Sequence, residues 1–239
     1  MKQIYIYATI FTLLLISGCI KTNSYHGTSA LNIVNAVNYS DPMVTNFSKN
    51  GVKGTPSSIL KYYSTANQIA YGNSWESGSY IGETFLSISQ ISDTTNVLWN
   101  GEINLEVGSI HSLFFCGDTA TIDTFFTTDI IPYYRAADSL SGIRFVNLVK
   151  GSLPMSVNIQ GNSPSLTEFN NLGYKQMSIF KPYNFNSSGP GSYSFEIRDQ
   201  NSDSILTVFS WSNTLQQSNT VFITGSSSLG INAYQLNNF

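Results

Sequence analysis

Residues 30–47 read ALNIVNAVNYSDPMVTNF, and 112 positions later residues 142–159 read GIRFVNLVKGSLPMSVNI. Aligned without gaps, the two segments share Val34/Val146, Asn35/Asn147, Val37/Val149, Ser40/Ser152, Pro42/Pro154, Met43/Met155 and Asn46/Asn158. The echo continues. NQIAYG at 67–72 answers NNLGYK at 170–175, TNVLW at 95–99 answers TVFSW at 207–211, and IHSLFFCG at 110–117 answers NTVFITG at 219–225. Order is kept and the gaps fall between segments. Solenoid repeats run about 20–50 residues, so a period this long marks a duplicated domain. The chain of 239 residues holds two domains of roughly 100 residues each.

Each half reads as β structure. Short runs rich in Val, Ile, Phe, Tyr and Thr, such as TFLSISQI, SIHSLFF, IRFVNLV, YSFEIR and TVFITG, alternate with Gly, Asn, Ser and Pro clusters. Asn50-Gly51 and Asn100-Gly101 are hairpin-turn signals, and RDQNSDS reads as a further hairpin tip. Many short strands at such spacing predict an all-β protein of two tandem immunoglobulin-like β-sandwiches. The expected division is a leader over 1–18, a tether over 19–27, sandwiches over 28–134 and 142–239, and a short polar linker over 135–141. Without a long Gly/Ser spacer, the two sandwiches should touch. Charged residues are only 10% of the chain and the net charge is −3. No basic run exists to carry nucleic-acid binding. The 15 Phe and 14 Tyr residues argue for a folded chain.

The N-terminus, MKQIYIYATIFTLLLISGCIK, places Lys2 before an apolar run from Ile4 to Ile16. The run is shorter than the about 20 residues of a membrane span and fits a secretory leader. Ile16-Ser17-Gly18-Cys19 resembles the lipobox of bacterial lipoproteins, in which cleavage precedes a cysteine that then carries acyl chains. The resemblance implies lipidation at Cys19, with the membrane as partner through those chains. The sequence after Cys19, Ile20-Lys21-Thr22-Asn23-Ser24, lacks acidic residues. It points to the outer membrane of a Gram-negative envelope, on its periplasmic face in preference to the cell surface. With Cys19 acylated, Cys116 has no disulfide partner and reads as a small buried apolar side chain.

IRFVNLVKGSLPMSVNI, followed by LGYK and a strand ending in Gly, is similar to the domain of unknown function 4397. That family is common in secreted and lipid-anchored proteins of the Bacteroidetes. The first half resembles a diverged copy, with Asn32 where Arg144 stands. The resemblance brings no catalytic residues with it.

Little in the chain suggests a reaction. The two histidines are His26, in the tether, and His111; zinc sites take three or four ligands. His111 and Cys116 lie five apart on an expected strand, which turns them to opposite faces. Asp199, Asn201 and Asp203 have alternating spacing, but Ser204 and Ser210 stand where a calcium loop has Gly and Glu. No cofactor or metal is expected. Trp99 and Trp211 look repeat-equivalent and so belong to the cores. Tyr71, Trp75 and Tyr80 fall in the polar stretch YGNSWESGSY, where exposed aromatics would serve as ligand contacts. The reading is a non-enzymatic, lipid-anchored envelope protein that binds or scaffolds an envelope protein or a glycan. The alternative is a glycan-binding or adhesive surface module using residues 71–80, and an enzyme ranks last.

Overall fold

The computed structural model describes residues 27–38, 41–47, 68–185, 192–226 and 230–238. The expected leader, Cys19, His26 and the turn expected at Asn50-Gly51 lie outside the described residues. The first half holds β1 (Thr28–Asn35), β2 (Met43–Asn46), β3 (Gln68–Ile69), β4 (Ser74–Tyr80), β5 (Gly82–Gln90), β6 (Asp93–Leu105), β7 (Ile110–Asp118) and β8 (Thr121–Thr128). A 3-10 turn, Ala136–Asp138, leads into the second half. That half holds β9 (Leu140–Asn147), β10 (Met155–Ile159), β11 (Thr167–Leu172), β12 (Gln176–Met177), β13 (Lys181–Asn184), β14 (Ser192–Asp199), β15 (Ile205–Ser212), β16 (Ser218–Ser226) and β17 (Gly230–Asn238). β9 starts at Leu140, two residues ahead of the predicted boundary.

Regular secondary structure among the described residues is almost all strand, and the strands form β-sandwiches as the strand pattern predicts. The first half pairs a sheet ordered β3-β2-β5-β6 with one ordered β4-β1-β7-β8. The second repeats the plan with β11-β10-β14-β15 and with β12-β9-β16-β17, where β13 shares the β9 edge with β12. In both halves the first strand runs parallel to the penultimate one: β1 with β7 and β9 with β16. The first two strands of each half lie in opposite sheets, whereas constant-type immunoglobulin domains keep them side by side.

The residues identical in the two copies build this plan. Asn35 Nδ2 donates to the Ile69 carbonyl at 2.9 Å, and its Oδ1 accepts the Val37 N–H at 2.9 Å. Asn147 repeats both bonds, to the Leu172 carbonyl and from Val149, at 2.9 Å each. Each buried amide thus ties the end of a first strand to the neighbouring sheet. Pro42 and Pro154 lack an N–H but keep a carbonyl, which accepts from Ile91 and Gln200 at 3.0 Å. Met43 and Met155 fill the two cores.

Three apolar layers alternate with four sheets. Successive side chains on a strand face opposite ways. On β1, Leu31 and Ile33 enter the first core while Val34 enters another. On β9, Ile143 and Phe145 enter the core of the second half while Val146 joins Val34. The shared layer comprises Val34, Ala36, Phe114, Cys116, Val146, Leu148, Phe222 and Leu236. The β1 and β9 sheets therefore pack face to face, and their central strands are buried on both sides. Such strands lose the alternation of half-buried ones, which explains the near-continuous apolar runs NIVNAV and IRFVNLV.

Two expectations fail here. Asn100-Gly101 is not a turn: it lies inside β6, with Gly101 opposite Leu86. A Cβ on Gly101 would stand 2.5 Å from Cζ2 of Trp99, so the glycine leaves room for the indole. The hairpin turn falls instead between Gln90 and Asp93. Trp99 and Trp211 are not equivalent either. Trp99 opposes Ile88, whereas Trp211 opposes Tyr193. By their pairing with β2 and β10, Gln90 corresponds to Asp199 and Ile88 to Ile197, and Ile197 opposes Thr207. The β5–β6 and β14–β15 turns differ in length, which slips the register. Both tryptophans still pack on their cores.

Candidate functional site

The contact between halves is close to two-fold. Sheet registers make Phe114 and Phe222, Cys116 and Thr224, and Phe125 and Tyr234 counterparts. Phe114 meets Phe222 at 6.3 Å between ring centroids. Tyr71 and Tyr174, counterparts in the repeat, each reach into the opposite half. Tyr71 packs edge-on against Tyr234 at 5.5 Å. Tyr174 Oη donates to Asp123 Oδ2 at 3.1 Å and sits 3.4 Å from Cys116 Sγ. Lys175 Nζ pairs with Asp123 at 2.5 Å. Burial raises the Cys116 thiol to about 11, which suits packing and not a thiolate nucleophile.

The contact also carries a buried ion pair. Arg144 Nη2 donates to Asp129 Oδ1 at 2.6 Å, with the side chains 5% and 0% exposed. Arg144 Nε donates to Thr220 Oγ1 at 2.8 Å, and Ser112 Oγ donates to Asp129 Oδ2 at 2.6 Å. At the related place the first half has Asn32, and Asn238 is the counterpart of Asp129 by register. Nδ2 of both asparagines is buried without a hydrogen-bond partner.

The largest departure from the repeat is an edge strand. β4 pairs with β1 without interruption from Ser74 to Tyr80. Its counterpart breaks into β12 and β13. Met177 opposes Val146 and Lys181 opposes Ile143, so four steps on one strand face three on the other. This is the geometry of a β-bulge. Ser178 repairs the ladder: its N–H donates to the Phe145 carbonyl at 2.8 Å, and its Oγ accepts the Phe145 N–H at 2.9 Å.

Two cavities flank the break. One, of about 640 Å³, is an open cleft lined by Glu168, Phe169, Asn170, Asn171, Leu172, Lys175, Gln176, Met177, Ser178 and Ile179. Asn170, Asn171 and Gln176 are exposed. Lys181 forms an ion pair with Glu168, and Tyr183 Oη donates to Glu168 Oε2 at 2.7 Å. Burial pushes the Glu168 carboxyl upward, but these two donors outweigh it and hold the group below its ordinary value. Burial and the Glu168 carboxylate together raise Tyr183. The second cavity, of about 350 Å³, is lined by Thr128, Ile130, Pro132, Arg144, Ser178, Ile179 and Phe180.

The structure does not gather the predicted aromatic contacts. Tyr71 belongs to the layer between halves. Trp75 lies on β4, not in a loop, and packs on the first core beside Phe47 at 6.2 Å. Tyr80 sits at the other end of β4, opposite Thr28. His111 and Cys116 do face opposite ways. His111 stacks on Phe126 at 5.2 Å, and its Nε2 accepts the Glu106 N–H. Asp199 accepts the Asn201 and Ser202 N–H groups at 2.9 Å, as a hairpin tip requires. Among the described residues no three His, Cys, Asp or Glu side chains cluster as metal ligands. The cleft residues escaped the sequence reading because their signal is one extra residue in the edge strand.

No family model matches the chain, and no curated protein does. Among solved structures it is similar to the CBM26 module of Eubacterium rectale Amy13K, in complex with maltoheptaose, at 9% identity and a TM-score of 0.26, over 87% of this chain and 97% of that one. It is also similar to the Bacillus anthracis TIE protein, at 9% identity and a TM-score of 0.24, over 88% of this chain and 44% of that one. At these TM-scores the likeness carries nothing about a ligand.

Proposed function

We propose that this protein is a non-enzymatic, lipid-anchored binding module of a Gram-negative cell envelope, held at the outer membrane through Cys19, with a hydroxyl-rich glycan in the cleft beside β12. The cleft carries the reading. It is the larger of the two concave surfaces beside the break in the edge strand, where the second half departs from the plan of the first. Its rim offers exposed amides from Asn170, Asn171 and Gln176, groups that both donate and accept hydrogen bonds. The buried reactive groups already have structural partners: Cys116 is packed, and Asp129 and Arg144 neutralise each other. Lipid anchoring rests on the Ile16–Cys19 motif.

A glycan array probed with the Cys19→Ser protein tests the ligand class. The expected result is binding to a restricted set of polysaccharides, weakened at least about tenfold in Asn170→Ala/Gln176→Ala, since each lost hydrogen bond is worth about 1 kcal/mol and more when desolvated. Binding that survives that double substitution but falls in Tyr80→Ala would move the ligand to the β4 edge. Fractionation of cells carrying Cys19→Ser should find the protein released from membranes.

A further inference from the structure

The smaller cavity differs in chemistry from the cleft and does not depend on the glycan reading. Its walls are Ile130 and Pro132, from the segment after β8, and Ile179 and Phe180, from the break in the edge strand. The two halves thus build it together. Ile130 and Ile179 stand at 86% exposure each, so its rim is apolar surface left in water. Arg144 also lines it, although its side chain is nearly all buried.

Arg144 is fixed by partners from both halves. Its hydrogen bonds run through Nε to Thr220 and Nη2 to Asp129. The Phe180 ring covers the guanidinium carbon at 4.4 Å. Both oxygens of Asp129 are engaged, one by Arg144 and one by Ser112. A guanidinium fixed on two of its nitrogens, under an aromatic face, is a preorganised donor whose remaining nitrogen suits an anionic oxygen. A buried ion pair is weak evidence for stability, and the related place in the other copy uses Asn32 and Asn238 instead. The charged version stands where there is a cavity.

We infer that this cavity is a binding site for a small aliphatic carboxylate, its chain against Ile130, Pro132, Ile179 and Phe180 and its carboxylate on Arg144. A volume of about 350 Å³ lies within the usual range for small-molecule sites, which are mostly apolar with a few placed polar groups and favour domain junctions.

The test is calorimetric titration of the full mature chain, as Cys19→Ser, with decanoate and with decanol. The expected result is saturable one-to-one binding of decanoate, with decanol at least tenfold weaker. Ile130→Asp and Ile179→Asp alter exposed rim positions from the two halves, and each should weaken decanoate at least tenfold. Ile205→Asp, at an exposed position on β15, should leave it unchanged. Equal affinity for decanoate and decanol overturns the role of Arg144. Absence of saturable binding, or binding indifferent to both rim substitutions, overturns the site.

Discussion

β4 crosses the edge of the first half in one unbroken run, while the same edge of the second half is β12, a bulge at Ser178 and β13. Both copies began with the same instructions, and Asn35 and Asn147 still make the same two bonds. The strand beside them has diverged by a single residue. Beside that residue lie the cleft and the smaller cavity. Positions on which the copies agree serve the backbone, and the cleft and the smaller cavity lie where they disagree. The buried polar groups differ likewise: Arg144 and Asp129 form an ion pair where the repeat-related positions hold Asn32 and Asn238, and Thr220 links Arg144 to Asn238.

The strongest way to break this comparison is to separate the halves. A fragment of residues 140–238 would expose Val146, Leu148, Phe222, Tyr234 and Leu236, now covered by the first half. Side chains of this kind are worth about 1.5–3 kcal/mol each when fully buried. The fragment retains its own core, so a cooperative β-rich fold is expected. Because the natural contact is close to two-fold, the apolar part of the freed face is self-complementary, although Arg144 loses Asp129. Sedimentation of the fragment should therefore show a dimer. A soluble monomer would show that the contact between halves is dispensable.

Arg144→Ala leaves the Asp129 carboxylate buried and without its cation, at an expected cost of about 3–5 kcal/mol. Asn32→Ala removes an amide whose nitrogen already lacks a partner and should change stability by less than about 1 kcal/mol. Urea denaturation of the two variants measures the difference. Equal losses would mean that Arg144 and Asn32 bear the same load in the contact.

The duplication was legible because backbone needs are written locally. The segment V-N-x-V returns because a strand must end, turn and tie itself to the opposite sheet, and a buried Asn does that through its own amide. The sandwiches were legible from strand-like runs separated by turn residues. The doubly buried central strands were visible as near-continuous apolar runs, yet an apolar run alone does not say what covers its second face. Asn100-Gly101 misled because dipeptide propensity is a weak prior against the packing of Trp99. Trp75 misled because polar neighbours on the outer face of β4 resemble a loop. The cleft and the cavity were illegible because a bulge is a difference of one residue, and its consequences depend on long-range pairing.

The conserved asparagines sharpen the comparison from the other side. Asn35→Ala removes the bonds to Ile69 and from Val37, and Asn147→Ala removes their two equivalents plus one to Ser152 Oγ, leaving buried partners unpaired for an expected loss of about 2–4 kcal/mol each. The two losses should agree within about 1 kcal/mol, as measured by denaturant midpoint. A large inequality would mean that one half has taken over the stability of the whole.

The smallest expected effect separates a tie across the contact from one inside a half. Asp123 joins the halves through Lys175 and Tyr174, whereas Glu168 holds Lys181 and Tyr183 within the second half. For both carboxyls burial acts upward, but the donors prevail and the folded-state value lies below the ordinary one, 3.8 for Asp123 and 4.5 for Glu168. A carboxyl lowered on folding stabilises the protein above its unfolded-state value, and that contribution disappears as pH falls through the folded-state value. Stability should therefore be flat from neutral pH to about 4.5, then decline with acid. Lys175 and Asp123 are both partly exposed, so solvent screening keeps the Asp123 share small. Asp123→Asn should flatten the decline below pH 3.8, and Glu168→Gln the part that starts near 4.5. Urea midpoints between pH 7 and pH 3 read both. If Asp123→Asn runs parallel to the unaltered protein over the whole range, this tie contributes nothing and the contact rests on the apolar layer and the Arg144–Asp129 pair.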